Sequence, residues 1–272
     1  MSDKRFNRVI IKEDRVVKKK NDKVLDLYNY FDSRDFDNYP KIVNVDDNYI
    51  ESELIKEKDN FETIKGVEFI KTVANLHNKT IEYKDVSKNK YRTIYDKIIG
   101  NIEYLKKYYE DMITSIEDEI YMSPSHYLFA RNYSCIDSSL KYASRTLKKW
   151  FKMVENKSKE RVCVIHNNLS RNHFIKGDKN YLTSFDNYLV DTPVLDLYKF
   201  YKREGFKLDF SYLLKKYNED FNLSDEEKVL LNVLISMPPK IEEVDDEYLN
   251  CINIRNTINY IYNGINIINE NK

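Results

Sequence analysis

One stretch near the middle of the chain constrains the fold more than any other. An apolar run at 162–165 leads into the polar sequence His166-Asn-Asn-Leu-Ser-Arg-Asn-His173, and short apolar runs return at 174–175 and 181–185. Such runs, bounded by polar and turn-forming residues, are typical of short strands. The stretch is therefore predicted to form strands joined by a polar loop.

The sequence on both sides of this stretch predicts helices. Apolar residues recur at steps of three and four over the segments 61–77, 90–120 and 125–155, and again from 194 onward. This period places the apolar side chains on one face of a helix. The strand-loop-strand stretch is thus an insert in a mainly helical region.

The beginning of the chain has a different pattern. Two short β-branched runs, 8–13 and 15–20, predict a hairpin, and a second hairpin is predicted over 40–50. Between them, 23–31 carries apolar residues at helical spacing. The order β-β-α-β-β predicts a small β-rich lobe.

The expected fold class is α+β with two lobes. The small β-rich lobe is predicted over 1–57, and a larger, mainly helical lobe over 58–272 contains the insert at 161–197. A chain of 272 residues, of which 42% are hydrophobic, is long and apolar enough to build a substantial core.

Composition narrows the classes of partner. The 45 Lys and Arg balance the 45 Asp and Glu, so no global positive charge favours nucleic acid. Cys135, Cys163 and Cys251 have no metal-ligand spacing and are expected to be reduced. No signal peptide and no segment of membrane-spanning length is recognised. These observations predict a cytoplasmic protein with neither a nucleic-acid nor a membrane partner.

The insert, with Asp191-Thr-Pro-Val-Leu-Asp196-Leu after it, resembles the aminoglycoside phosphotransferase and choline kinase group, which has the bilobal protein-kinase-like fold. Within the group it is most similar to the CotS-type spore-coat branch of Firmicutes. There, a strand leads into H-G/N-D-L-x-x-x-N, a later strand ends in I-D-W-E, and D-x-P-x-x-D-L follows. The resemblance covers nearly the whole chain.

The resemblance assigns a role to each matching position. His166 matches the family histidine, whereas Asn168 stands at the position of the catalytic Asp, His173 at that of the metal-binding Asn, and Ser184 at that of the magnesium-binding Asp. In the small lobe, Lys18 corresponds to the phosphate-binding lysine, or one of its two following neighbours does if the register slips.

These substitutions remove the groups that phosphoryl transfer uses. The amide of Asn168 can orient a hydroxyl group but cannot accept its proton as a carboxylate does. The Ser184 hydroxyl and the His173 imidazole are poor ligands for Mg²⁺, which prefers anionic oxygen. The degenerate site predicts a protein without ordinary kinase turnover.

Two carboxylates keep an enzymatic alternative open. Asp186 lies two residues after Ser184, so on a strand both side chains would share a face, and Asp191 follows shortly after. Either could hold a metal ion in an atypical ATP-dependent phosphotransferase. Each of these site residues also has a purely structural alternative. His166 could brace the loop, His173 could be packed or face solvent, and Lys18 could lie on a solvated strand edge.

The preferred interpretation is a pseudokinase-like, non-catalytic binding or scaffolding protein, with association to the spore as a further expectation from the resemblance. Its partner would be a protein or a small molecule in the interlobe cleft. No cofactor is expected, and ATP and Mg²⁺ would bind only under the enzymatic alternative.

Overall fold

The computed structural model describes residues 9–12, 14–58 and 62–270. These residues form two compact units. The first unit comprises the described residues up to Glu82 together with Cys163–Asp191 and Leu213–Asn222, and the second comprises Tyr83–Val162, Thr192–Tyr212 and the described residues from Leu223 onward. The predicted division at residue 57 stays a prediction.

The first unit opens with a four-stranded antiparallel sheet. Its strands are β1 (Val9–Lys12), β2 (Arg15–Lys19), β3 (Ile42–Val45) and β4 (Tyr49–Glu53), in the order β1-β2-β4-β3. The helix α1 (Asp22–Ser33) connects β2 to β3. The described part of this region therefore has the β-β-α-β-β order that the sequence predicts.

The strand-loop-strand insert is also present. Strand β6 (Lys159–Ile165) precedes the polar loop, and β7 (Phe174–Lys176) pairs antiparallel with β8 (Asn180–Leu182). The sequence pattern did not predict β5 (Glu82–Asp85) or β9 (Leu189–Asp191), which form a three-stranded sheet in the order β5-β6-β9.

Helices make up most of the remaining structure. They are α2 (Glu62–Lys79), α3 (Lys90–Glu117), α4 (Pro124–Val154), α5 (Val194–Arg203), α6 (Phe210–Asp220), α7 (Asp225–Ser236) and α8 (Glu247–Glu270). Ser123 caps the start of α4, because its side chain accepts a hydrogen bond from the His126 amide. No helix within the described ranges is long and apolar enough to cross a membrane.

Each unit has its own apolar core. In the first, α1 packs through Phe31 against Phe36, Tyr39 and Phe185, with ring centroids 4.9–5.4 Å apart. In the second, the long helix α4 buries Leu140, Leu147 and Trp150. Burial of such side chains is the main favourable contribution to folding. The α+β fold class is confirmed.

Candidate functional site

His166 is a packed histidine directly after β6. Its ring is fully buried, and its Nε2 donates a hydrogen bond to the Thr183 carbonyl at 2.7 Å. The ring stacks against His173 at 5.5 Å and lies 4.9 Å from the ring of Phe185. A buried imidazole between a backbone acceptor and aromatic rings braces the polar loop against the segment after β8, which agrees with the structural role considered for it.

The polar loop is held by its own side chains. Asn167 has φ of 63°, in the left-handed region that Asn tolerates, and its amide donates to the Asn187 carbonyl at 2.8 Å. The carbonyl of Asn168 accepts a hydrogen bond from Nδ1 of His173 at 2.9 Å. His173 is therefore packed on the loop backbone, and one of its two ring nitrogens is engaged in holding the loop in place.

The segment that carries Ser184 and Asp186 is not a strand, so the prediction of a strand over 181–185 is wrong at its end. Strand β8 stops at Leu182, Ser184 has φ of 67°, and a 3₁₀-helix follows over Phe185–Asn187. The buried ring of Phe185 causes this turn to pack inward. Ser184 and Asp186 consequently do not share a strand face, and Asp186 is exposed at the end of a tight turn.

A cavity of about 210 Å³ lies beside this turn, wholly inside the first unit. Lys18 from β2, Ser184 and Asp186 all line it, so three of the predicted site residues come together. Most of the remaining lining is apolar, and comes from Val9, Val16, Val24, Pro40, Ile50, Leu54, Ile55, Ile175 and Phe185.

Lys18 is positioned by the pleat of β2. Val17 points into the core with 6% of its surface exposed, so its neighbours Val16 and Lys18 lie on the opposite face, where both line the cavity. Among the described residues, no carboxylate lies within ion-pair distance of the Lys18 ammonium; Asp22, one of the acids nearest in sequence, lies 3.9 Å from Lys20 instead. The ammonium of Lys18 is therefore a positive charge without an ionic partner in the described part of the chain. The cavity lining as a whole carries both signs, because it also includes Lys19, Glu53 and Asp186.

Tyr28 is a lining residue that the sequence did not single out. It lies on α1, 6.2 Å from the ring of Phe185 and 4.4 Å from the ring of Tyr39. Burial raises the pKa of the Tyr28 phenol, and the nearby charge of Asp186 raises it further. Tyr28 therefore remains a neutral hydroxyl group that can donate a hydrogen bond into the cavity. Its helical spacing was visible in the sequence, but that spacing equally fits a core residue.

A close contact at Gly177 positions Ile55, one of the residues that line the cavity. A Cβ atom at Gly177, in the β7-β8 turn, would lie 2.8 Å from the side chain of Ile55. The Lys58 amide donates to the Lys176 carbonyl at 2.7 Å, which fixes the segment after β4 on this turn. A side chain at 177 would therefore require Ile55 to shift.

Asp191, the other candidate metal ligand, lies elsewhere. It is in β9, paired with Cys163 of β6, and it is not among the described residues that line the cavity. Within the described ranges, no group of three or more His, Cys, Asp or Glu side chains is arranged to hold a metal ion.

Comparison with known proteins identifies the fold. No family model and no curated protein sequence matches the chain. Among solved structures, an aminoglycoside phosphotransferase from Alicyclobacillus acidocaldarius is similar, with a TM-score of 0.71, 9% identity, and coverage of 98% of this chain and 92% of that one. The chain has the protein-kinase-like fold.

Two further solved structures have lower similarity. A choline/ethanolamine kinase family protein from Mesorhizobium loti has a TM-score of 0.45 and 9% identity, covering 94% of this chain and 88% of that one. A choline kinase from Cryptosporidium parvum has a TM-score of 0.43 and 10% identity, covering 94% and 83%. The structural neighbours are thus aminoglycoside phosphotransferases and choline or ethanolamine kinases.

Proposed function

We propose that this protein is a non-catalytic, kinase-like binding protein, and that the cavity of its first unit takes a ligand with a flat apolar part and an anionic group. A nucleotide is the first candidate. The observation that carries the proposal is the ammonium group of Lys18, which has no carboxylate within ion-pair distance among the described residues. It lies in a cavity whose lining is mainly apolar and also includes Glu53 and Asp186. Small-molecule sites commonly combine apolar walls with a few polar groups.

The absence of turnover is supported by the residues of the loop and turn. Asn168 has an amide where the resemblance implies a base, and His173 holds the loop backbone instead of presenting an oxygen ligand. Ser184 offers only a neutral hydroxyl group. Loss of a general base alone slows a reaction by roughly two to four decades, and without anionic ligands the charge on the phosphates is not neutralised.

Binding is tested by titrating the purified protein with ATP, ADP and AMP, with and without Mg²⁺, in calorimetry. We expect binding that does not depend on Mg²⁺ and that weakens about tenfold or more in Lys18→Met, because a hydrogen bond to a charged group contributes roughly 1.5–3 kcal/mol. Lys12→Met is the matched control, since Lys12 lies on β1 of the same sheet but is not among the lining residues. If none of the three nucleotides binds at millimolar concentration, the nucleotide is excluded as ligand.

A second candidate is an atypical phosphotransferase, and one observation favours it: the carboxylate of Asp186 lines the same cavity as Lys18. The measurement is transfer or hydrolysis of radiolabelled γ-phosphate with Mg²⁺ present. Turnover that disappears in Asp186→Asn would replace the non-catalytic proposal with this one. Asp191 has no such support, because it lies in β9.

Cytoplasmic location and association with the spore coat belong to the same proposal. The resemblance to the CotS-type branch supports the second. The first agrees with the observation that no disulfide joins Cys135, Cys163 or Cys251 in the described part of the chain. Fractionation of the producing cells, with an antibody against the protein, tests both.

A further inference from the structure

The turn between α3 and α4, in the second unit, exposes an unusual amount of apolar surface. Ile120 and Tyr121 are adjacent, and each has 90% of its surface exposed. Met122 and Tyr127 follow at 41% and 60%. Single exposed apolar residues are normal, but a contiguous group of large ones marks an interaction site.

A second segment, 241–249, extends this apolar surface. The carboxylate of Glu247 accepts hydrogen bonds from the Ser125 amide at 2.6 Å and from the Ser125 hydroxyl at 2.9 Å, which places the start of α8 at the start of α4. His126 contacts Glu119 on one side and Glu243 on the other. Three further apolar side chains are exposed on this segment: Val244, Tyr248 and Leu249.

We call the segments 118–127 and 241–249 together the acidic apolar surface, because of their charge. Seven acidic residues lie in them and no Lys or Arg does; the acids are Asp118, Glu119, Glu242, Glu243, Asp245, Asp246 and Glu247. One cation borders them, because Lys240, directly before the second segment, lies 3.9 Å from Glu242. The whole chain, by contrast, has a formal net charge of zero. The negative charge is therefore a local property of this surface.

The acidic apolar surface is preformed. The hydroxyl group of Tyr109, on α3, donates a hydrogen bond to the Pro239 carbonyl and accepts one from the Ile241 amide. These bonds hold the beginning of segment 241–249 against α3. Asn250 closes the segment, because its side chain both donates to the Val244 carbonyl and accepts from the Val244 amide, each at 2.9 Å. A surface that is already ordered loses little entropy when a partner binds.

We propose that the acidic apolar surface docks a basic segment of another protein that also carries apolar side chains. The apolar residues supply the area that a partner would bury, and the surrounding carboxylates select a partner rich in Lys or Arg. An anionic membrane and a nucleic acid are repelled by the same charge. A second copy of this chain in a symmetric contact would oppose seven negative charges to seven, which is equally unfavourable.

The test uses a synthetic peptide of about 16 residues with alternating Lys and Leu and one Trp, labelled with a fluorophore, in anisotropy titrations against the full chain. We expect saturable binding that weakens at least about tenfold in Ile120→Ser/Tyr121→Ser. Both side chains are almost fully exposed, so the variant should fold. Glu242→Gln/Asp245→Asn should weaken binding and flatten its dependence on salt between about 0.05 and 0.3 M.

Two controls separate docking from general stickiness. Tyr83→Ser removes an aromatic side chain that is 69% exposed elsewhere in the second unit, and it should leave the affinity unchanged. A peptide with Glu in place of Lys should not bind, nor should one with Ser in place of Leu and Trp.

Four results would overturn the proposal. Two come from the peptide titrations: equal affinity in the wild type and the Ile120→Ser/Tyr121→Ser variant, or equal binding of the Glu peptide. The other two are binding of neutral phosphatidylcholine vesicles that depends on Ile120 and Tyr121, and a dimer in sedimentation velocity that the same variant dissociates. None of these measurements involves the cavity of the first unit. The proposal therefore stands or falls independently of nucleotide binding.

Discussion

His126 links the ordering of the acidic apolar surface to pH. Its Nδ1 lies 2.9 Å from Glu119 and its Nε2 3.3 Å from Glu243. The hydrogen bond with Glu119, and secondarily the contact with Glu243, raise the pKa of His126. The pKa of Glu247 is lowered, mainly by the hydrogen bond from the Ser125 amide. The charge of His126 contributes to the same lowering. The protonated imidazole is thus the form that the fold favours.

A raised folded-state pKa fixes the sign of the effect. The stabilisation is fully present below the unfolded-state pKa of His126, about 6.5, and is lost as pH rises through the higher folded-state value. We expect His126→Gln to lower the free energy of unfolding by up to about 1 kcal/mol near pH 5.5, the usual size for a partly exposed ion pair, and by much less near pH 9.

Urea unfolding at the two pH values measures this difference. In the Glu119→Gln background the His126→Gln substitution should have a smaller effect, because its main partner is already neutral. An identical loss of stability at both pH values would show that His126 acts through packing and not through its charge.

The start of α7 is capped by the two residues that the local sequence indicates. Ser224 accepts a hydrogen bond from the Glu227 amide, and the Glu227 carboxylate accepts one from the Ser224 amide. The same carboxylate, only 6% exposed, is paired with Arg161 of β6. The sequence Ser224-x-x-Glu227 predicts the capping box, but the partner from β6 could not be read from it.

We expect Ser224→Ala to destabilise the protein by about 1 kcal/mol, because it leaves a helix amide without its acceptor. Ser224→Asp should retain most of the stability, since Asp caps equally well. Circular dichroism during thermal unfolding measures both variants. A Ser224→Asp variant as unstable as Ser224→Ala would mean that the hydroxyl group is needed for something other than capping.

The strands that the sequence did not predict share one property. β5 and β9 are four and three residues long and largely exposed, so they carry no alternation of apolar and polar side chains. They form strands because their backbones hydrogen-bond to β6. The local sequence does not reveal such pairing between distant segments. The longer helices were predictable because each buries one regular face. The two hairpins were predictable from their β-branched runs and turn residues, although β1 is exposed along its whole length.

The candidate site was predictable in part. The resemblance suggested Lys18, with its two following neighbours left open, and the structure places Lys18 with Ser184 and Asp186 at one cavity. The left-handed backbone of Ser184 was not predictable, because it depends on the burial of Phe185 between distant aromatic residues. The engagement of His173 with the Asn168 carbonyl likewise arises from the folded loop alone.

Under the proposed function, this protein keeps the fold without phosphoryl transfer. A TM-score of 0.71 at 9% identity shows that the fold is retained where almost every residue differs. Function resides in the few residues of a site and not in the fold that carries it. Changing those residues should therefore leave the fold intact.

The double variant Asn168→Asp/Ser184→Asp tests this separation. Asp has nearly the shape of Asn at 168, and at 184 it tolerates the left-handed conformation, φ of 67°, better than most residues do. We expect the variant to unfold within a few degrees of the wild type, and to be stabilised by ATP with Mg²⁺ by about 1–2 kcal/mol more than by ATP alone.

The matched control is Asn168→Asp/Ser184→Asn, which has the same shape at 184 without the charge. Because Mg²⁺ binding requires an anionic oxygen near the phosphates, only the Asp variant should respond to the metal in a thermal-shift titration. An equal Mg²⁺ effect in both variants would show that Ser184 does not stand at a metal position. A Mg²⁺ effect of that size already present in the wild type would instead favour Asp186 as a ligand, since its carboxylate lines the same cavity.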